Sequence, residues 1–237
     1  MSRMIYRLVL SLVTALLLTA CVNTVDNMKL AAQEKFRQTL AYHFTRQFGK
    51  GIGVVVQGLA AQGGFLDNPL VRILLPPPVG LVIDVARDFQ QNPRAVLLES
   101  LMNHAAEQAV PGAGPILQTL ITEISAGDST NLFAAGKTAA TDYLREKAGG
   151  AVYDALLPVV AQDLAASGAV EIYAELLKAH EATALVTGMA DGEAPPVAAD
   201  ELDDYVTRKT VDGLFRMLGD RETLIRDGIS NMEQGSL

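Results

Sequence analysis

The chain has 237 residues, 49% of them hydrophobic, yet aromatics make up only 5% and tryptophan is absent. A core of that composition has to be built from Ala, Leu and Val, which favours close-packed helices over a sandwich of aromatic and β-branched strands. The formal charge of −8, with no concentrated basic patch, argues against nucleic acid as a partner and against a broad electrostatic hold on anionic lipid.

The chain opens MSRMIYRLVLSLVTALLLTAC: Arg3 and Arg7, an apolar run of about eleven residues from Leu8 to Leu18, then Thr19-Ala20-Cys21. That run is short for a spanning helix and suits a secretory leader. Its end resembles the lipobox of bacterial lipoproteins. The resemblance implies cleavage after residue 20, diacylation of the Cys21 thiol and acylation of the new amino terminus, with palmitate among the expected groups. The alternative is an ordinary secretory leader with an incidental cysteine. Cys21 is the only cysteine, so the chain can form no internal disulfide and keeps no other thiol for metal binding or catalysis. Several acyl chains, at about 0.8 kcal/mol per buried CH₂, would make the attachment effectively permanent. Losing residues 1–20 removes two arginines and no acid, leaving 17 basic against 27 acidic residues and a net charge of −10. Val22 rather than Asp follows the cysteine, and by resemblance to Gram-negative lipoprotein sorting this implies the periplasmic face of the outer membrane.

Asp26 to Phe48 is expected to be helical, with Phe36, Leu40, Phe44 and Phe48 spaced four apart on a core-facing stripe. Gly49, Gly51 and Gly53 follow, with Lys50 between the first two. They lack the strand before and the Lys-Ser or Lys-Thr pair after that a phosphate loop needs, and suggest a helix cap and turn. A short helix is expected over residues 54–61. Then comes GGFLDNPLVRILLPPPVGLVID, residues 63–84. Asp67-Asn68-Pro69 marks a turn, and residues 70–75 should be extended, with Val71, Ile73 and Leu75 on one side and Arg72 on the other. Three prolines would carry the chain stiffly into a helix from Val79 through Phe89. This segment cannot span a membrane, because Arg72 and its prolines interrupt it too early.

Asn92-Pro93 is an N-cap with proline in the first helical position. The helix after it should bury Leu97, Leu101, Ala105 and Ala109 and stop at Pro111. Further helices are expected from Pro115, over 128–135, over 138–147, over 151–166 with a kink or break at Pro158, over 170–180, and from Leu202 to Leu218 and on to Asp227. Residues 187–200 are small, acidic and proline-bearing, and suggest an exposed loop. The expectation is an all-α single multi-helix domain with one extended Pro-rich segment, behind a lipoprotein signal peptide. Its divisions are a leader at 1–20, a lipidated terminus and first helix at 21–50, a helical domain at 51–228 and a flexible tail at 229–237.

Four segments together carry a resemblance: GGFLDNPLVRILLPPPV, MNHAAEQAVPGAGPIL, TAATDYLR and LDDYVTRKTVDGLFRMLGDRETLIR. In this order they resemble the bacterial family known as domain of unknown function 4197, over nearly everything from Gly51 to Asp227. Leu144 stands where Phe is usual, Lys137 replaces an acid, and Pro77 and Pro78 extend a single proline. The resemblance implies an exported, often lipid-anchored protein and no particular activity.

Chemistry-bearing patterns are sparse. His43, His104 and His180 fall on separate segments, and no Gly-x-Ser-x-Gly elbow is present to place a nucleophile. His180-Glu181 lacks the second histidine of a zincin helix. His104 and Glu107 share a helical face, but without a matching pair a surface hydrogen bond is the simpler reading, so no metal or cofactor is expected. Asp142 and Asp203-Asp204 suit capping and charge pairing better than paired-carboxylate hydrolysis. Tyr205, Lys209, Asp212 and Arg216 recur on one helical face, with Asp142 and Arg145 paired on another. Intrahelical Lys209–Asp212 and Asp212–Arg216 ion pairs are the simpler account, and an interhelical network with Asp142 and Arg145 is the alternative.

The function expected from this is a non-enzymatic periplasmic module on a lipid anchor, binding a hydrophobic small molecule or lipid, with Phe65, Leu70, Arg72, Ile73 and Leu75 as possible contacts. The alternative is a structural or assembly role through envelope protein contacts. An enzyme ranks third.

Overall fold

Helix α1 spans Ser2–Ala60 without interruption, passing through the glycines where the sequence suggested a cap. None of those glycines has a positive φ, so nothing turns the chain. At Gly51 the missing side chain permits a close approach: a Cβ there would lie 3.1 Å from Arg221 Cγ and 3.2 Å from Ile225 Cδ1. The computed structural model describes residues 2–77, 79, 92–187 and 197–234, with side chains over 28–77, 79, 92–182 and 197–231. Among the described residues there is no strand.

After α1, Gly63 takes φ +79° and starts a turn in which the amides of Val71 and Arg72 both donate to the Asn68 carbonyl. Residues 72–76 then run without helical structure. The expected alternation holds: Val71, Ile73 and Leu75 are buried, while Leu74 is exposed. The helix expected from Val79 lies outside the described residues, apart from Val79 itself, which is buried. Helix α2 (Pro93–Ala109) begins as expected, with the Asn92 side chain accepting from the amides of Arg94 and Ala95. Its buried face is Leu98, Met102, Ala105 and Ala109, together with Ala95, Ala106, Glu99, Asn103 and Glu107. Leu97, expected inward, is exposed.

A 3₁₀ turn (Val110–Gly112) leads into α3 (Ala113–Glu123), then α4 (Ala126–Ala135). Helix α5 (Ala139–Ala166) merges two expected helices. Pro158 sits inside it on the exposed side, where the carbonyl left without a donor can be hydrated, and the helix continues past it. Helix α6 (Ala169–Thr187) follows, and of the expected loop after it residues 188–196 lie outside the described ones. Helix α7 (Leu202–Gln234) is one element where two were expected, and it carries helix across the expected tail boundary at 229.

Helix α5 is the hub, packing against α2, α3, α4, α6 and most extensively α7. Its buried residues Ala140, Leu144, Ala148, Val152, Leu156, Val160 and Leu164 recur every four positions, the ridge that interdigitates in helix packing. Helix α1 lies across α3, α4 and α7 and contributes Phe44, Phe48, Ile52 and Leu59 to the same core. The phenylalanine stripe is only partly core: Phe36 is 54% exposed. Residues 28–38 of α1 are all exposed, so this part of the helix stands clear of the others. No single helix among the described residues is long and apolar enough to cross a membrane. The α5–α6 pair passes on composition but is bent by 73°, and the apolar ridge of α5 is buried in the core.

Candidate functional site

The hallmark segment is held by polar side chains of α2 spaced four apart, Glu99, Asn103 and Glu107, all buried. That spacing stacks them on one face. Glu107 accepts from the amides of Phe65 at 3.1 Å and Leu66 at 3.4 Å. Asn103 pairs with Ile73 as a neighbouring strand would, accepting from its amide and donating to its carbonyl, both at 2.8 Å. Glu99 takes the Arg72 guanidinium, which burial-driven desolvation opposes less than that hydrogen bond favours, so Arg72 is held more firmly charged than usual. From the opposite side α7 closes over the segment. A Cβ on Gly213 would meet Phe65 Cε1 at 3.0 Å and Val71 Cβ at 3.1 Å, and the Tyr205 hydroxyl donates to the Leu74 carbonyl at 3.0 Å.

This placement puts most of the expected contact residues in the packed interior. Phe65, Ile73 and Leu75 belong to the central core, and Arg72 is engaged by Glu99. Of the five possible contact residues, Leu70 alone presents an exposed apolar side chain. The apolar side of the strip is therefore taken up by packing and by buried hydrogen-bond partners. Glu107 is turned inward while His104 is exposed, so the two do not form the expected surface hydrogen bond. The three histidines are carried on α1, α2 and α6, and the described residues contain no group of three or more side chains suited to hold a metal.

A second polar centre joins four helices. Glu222 of α7 is fully buried and caps α5. It accepts from Ala140 N at 3.1 Å, Thr141 N at 2.7 Å and Thr141 Oγ1 at 2.7 Å. Thr138, the N-cap residue, makes no such bond, so Glu222 satisfies amides that the start of a helix leaves open. Arg226, one turn on, bonds Glu222 at 2.6 Å and donates to the Phe133 and Leu132 carbonyls at the end of α4. Its guanidinium lies 4.2 Å from the centre of the Phe44 ring. The sequence signal was present, since Glu and Arg four apart close the fourth motif, but that spacing alone does not tell a buried pair from an exposed one.

The Tyr205–Arg216 face behaves differently from the simpler expectation. Asp212 pairs with Arg145 across the α5–α7 interface rather than with Lys209 or Arg216, and Arg145 lies 5.3 Å from the Phe215 ring centre. Lys209 lies 5.6 Å from the ring centre of Tyr205. Asp142 stays outside this cluster and accepts from the Thr138 hydroxyl at 3.1 Å. Nearby, Asp204 bonds Arg208 and the Tyr153 hydroxyl. Those two hydrogen bonds, Arg208 first, hold its carboxyl below the ordinary value.

An open concavity lies elsewhere, along α1 where α3 and α4 pack against it. It is a groove of about 910 Å³, running from Gln38 to Gln57 on the α1 side and faced by Gln118, Ile121, Thr122, Ile124, Ala126 and Ser129. Gly49 and Gly53 leave its α1 wall low, and a Cβ on Gly53 would touch nothing within 4 Å. The Gln118 amide donates to the Gly49 carbonyl at 2.6 Å and ties the two walls together. Arg46 and Lys50 line the groove and no carboxylate does. Neither cation forms an ion pair among the described residues. The sequence showed Arg46 and Lys50 one turn apart and a glycine run, but not that α3 would face them. A smaller hollow of about 600 Å³ lies where α1 meets α7 and the 63–69 turn, and Asp67, Asp220 and Arg221 share its lining.

The described residues thus form an all-helical domain in which Arg72, Asn103, Glu107 and Glu222 of the motifs make internal ties, with a groove to one side. A family model described as "Protein of unknown function (DUF4197)" matches residues 38–235, and the chain belongs to that family. Comparisons with curated proteins and with solved structures each found no match.

Proposed function

We propose that this chain is an envelope lipoprotein, acylated at Cys21 and held on the periplasmic face of the outer membrane. Its helical domain is a non-enzymatic module that holds a lipid or other hydrophobic ligand. Cys21 falls in the backbone of α1, and its side chain is outside the described ones. The observation that carries the binding reading is the groove on α1. At about 910 Å³ it sits at the upper end of the roughly 300–1,000 Å³ usual for small-molecule sites. Its lining is aliphatic residues, amides, hydroxyls and two cations, groups that hold a ligand rather than transform it.

The test is native mass spectrometry of the full-length protein extracted from membranes in non-ionic detergent. Retained masses of acyl-chain size are expected, and Gly53→Leu, whose Cβ would meet no atom within 4 Å and whose side chain would extend into the groove, should remove them. A protein that carries no such mass and takes up no added lipid would overturn the reading. Separately, Cys21→Ser should move the protein out of the membrane fraction, and unchanged fractionation would overturn the anchor.

A second reading, contact with another envelope protein, is favoured by Met28, Leu30 and Phe36. They are 72%, 63% and 54% exposed on the part of α1 that stands clear of the domain. In-cell crosslinking from position 36 that captured nothing would set it aside.

A further inference from the structure

We infer that the ligand of the α1 groove is a single-chain amphiphile with an anionic head, a long-chain fatty carboxylate, whose head is received by Arg46 and Lys50. This rests on the groove being the binding site. The chain as a whole carries a formal charge of −8, so a random sample of its surface would show more acids than bases. The groove lining reverses that balance, with two cations and no carboxylate among its residues.

Arg46 and Lys50 are one helical turn apart on the same face, where side-chain bases lie about 5–6 Å from each other. That is a reach at which one carboxylate can be met by both. Arginine offers a planar fork of donors that matches two carboxylate oxygens, and lysine adds a point charge. Neither cation has a partner acid among the described residues, so an incoming anion breaks no ion pair formed there. Their aliphatic stems can line the groove while the charged ends meet the head.

The tail has a place as well. From Gln38 to Gln57 the α1 wall is about 29 Å long at 1.5 Å per residue. One leaflet of a bilayer core, the length of a single acyl chain, is about 15 Å. The Arg46–Lys50 pair lies near the middle of that wall, with about 12 Å from Arg46 to Gln38 and about 10 Å from Lys50 to Gln57 at 1.5 Å per residue. A head at the pair therefore leaves most of one chain along the wall and its end beyond the groove. The apolar floor is formed by Gly49, Gly53 and Val54 from α1 and by Ile121 and Ile124 from the facing side. Val54 is 54% exposed and Tyr42 is 61% exposed, so apolar surface is available at both ends of the cationic pair.

The experiment uses the full-length protein in non-ionic detergent and a diazirine-bearing fatty acid, with the labelled peptides read by mass spectrometry. Labelling is expected in peptides of α1 between residues 38 and 57 and of α3. Dodecanoate should compete at least about tenfold better than dodecanol, the effect of one charge-assisted contact. The double variant Arg46→Gln/Lys50→Gln alters only exposed side chains and should keep its melting temperature. It should lose that preference while still binding the alcohol. Equal competition by acid and alcohol would overturn the head-group inference and leave the groove standing. Tighter competition by dodecyl phosphate would overturn the carboxylate assignment. Labelling confined to other helices, or unaffected by Gly53→Leu, would overturn the groove itself.

Discussion

The 65–75 segment and the α1 groove make opposite use of the same kinds of residue. Both join aliphatic side chains to an arginine and to small residues beside a helix. In the segment the key polar groups have internal partners: Arg72 has Glu99, Ile73 has Asn103, and Phe65 has Glu107. In the groove Arg46 and Lys50 form no ion pair among the described residues, and Gly53 faces open space. A distinctive motif is therefore a poor pointer to a binding surface when its residues are consumed by the fold. The plainer stretch, with unspent charge and space, is the better candidate.

That contrast predicts a hierarchy of damage. The largest loss is expected at the centre where Glu222 caps α5. Arg226→Met keeps much of the bulk over Phe44 but leaves a fully buried carboxylate without its cation and two α4 carbonyls without a donor. Removing one partner of a buried pair costs about 3–5 kcal/mol, so chemical denaturation should show a loss of that order. A loss under about 1 kcal/mol would mean that water replaces the guanidinium and that the centre is not closed. Next comes Asn103→Ala, which strands the amide and carbonyl of Ile73 in the core. At roughly 1–3 kcal/mol for each buried group left unsatisfied, at least about 2 kcal/mol should be lost. Hydrogen exchange at the Ile73 amide should rise with it. If exchange there were unchanged, Asn103 would not be what holds the segment.

Much of this fold was legible because the periodicity was strong. The Asn92-Pro93 start of α2 and the in-out alternation from Val71 to Leu75 follow from local rules and are found as expected. What failed were boundaries drawn at breakers. Gly49 to Gly53, Gly149-Gly150 and Pro158 all lie within helices, because a penalty of about 1 kcal/mol per glycine is small beside the packing of a long helix. Phe36 shares a stripe with Phe44 and Phe48, and nothing local to it says that the neighbouring helices end before reaching it. The buried triad of α2 was hidden for a related reason. Glu99, Asn103 and Glu107 look like an exposed polar face until the extended segment is known to lie against them. The groove needed a long-range fact, that α3 and α4 face the turns of α1 carrying Arg46 and Lys50.

The exposed ties between α5 and α7 should matter least. Arg145 and Asp212 are both about half exposed, and such pairs contribute about 0.2–1 kcal/mol. Asp212→Asn should therefore lower stability by less than about 1 kcal/mol and leave ligand capture in the groove unchanged. A larger loss would mean that the Arg145 contact with Phe215 depends on the ion pair. The pair at Asp204 gives a sign as well as a size. Its carboxyl is held below the ordinary value by Arg208 and then by Tyr153, so the native state favours the ionised form. The stabilisation is present above the unfolded-state value near about 3.9. It is lost as pH falls through the lower native value, where both states become protonated. In melting curves of the wild type and Asp204→Asn, the gap between them should be constant at neutral and mildly acid pH and close only in strong acid. A gap that persists undiminished through that range would show that the carboxylate charge is not what ties Tyr153 and Arg208 together.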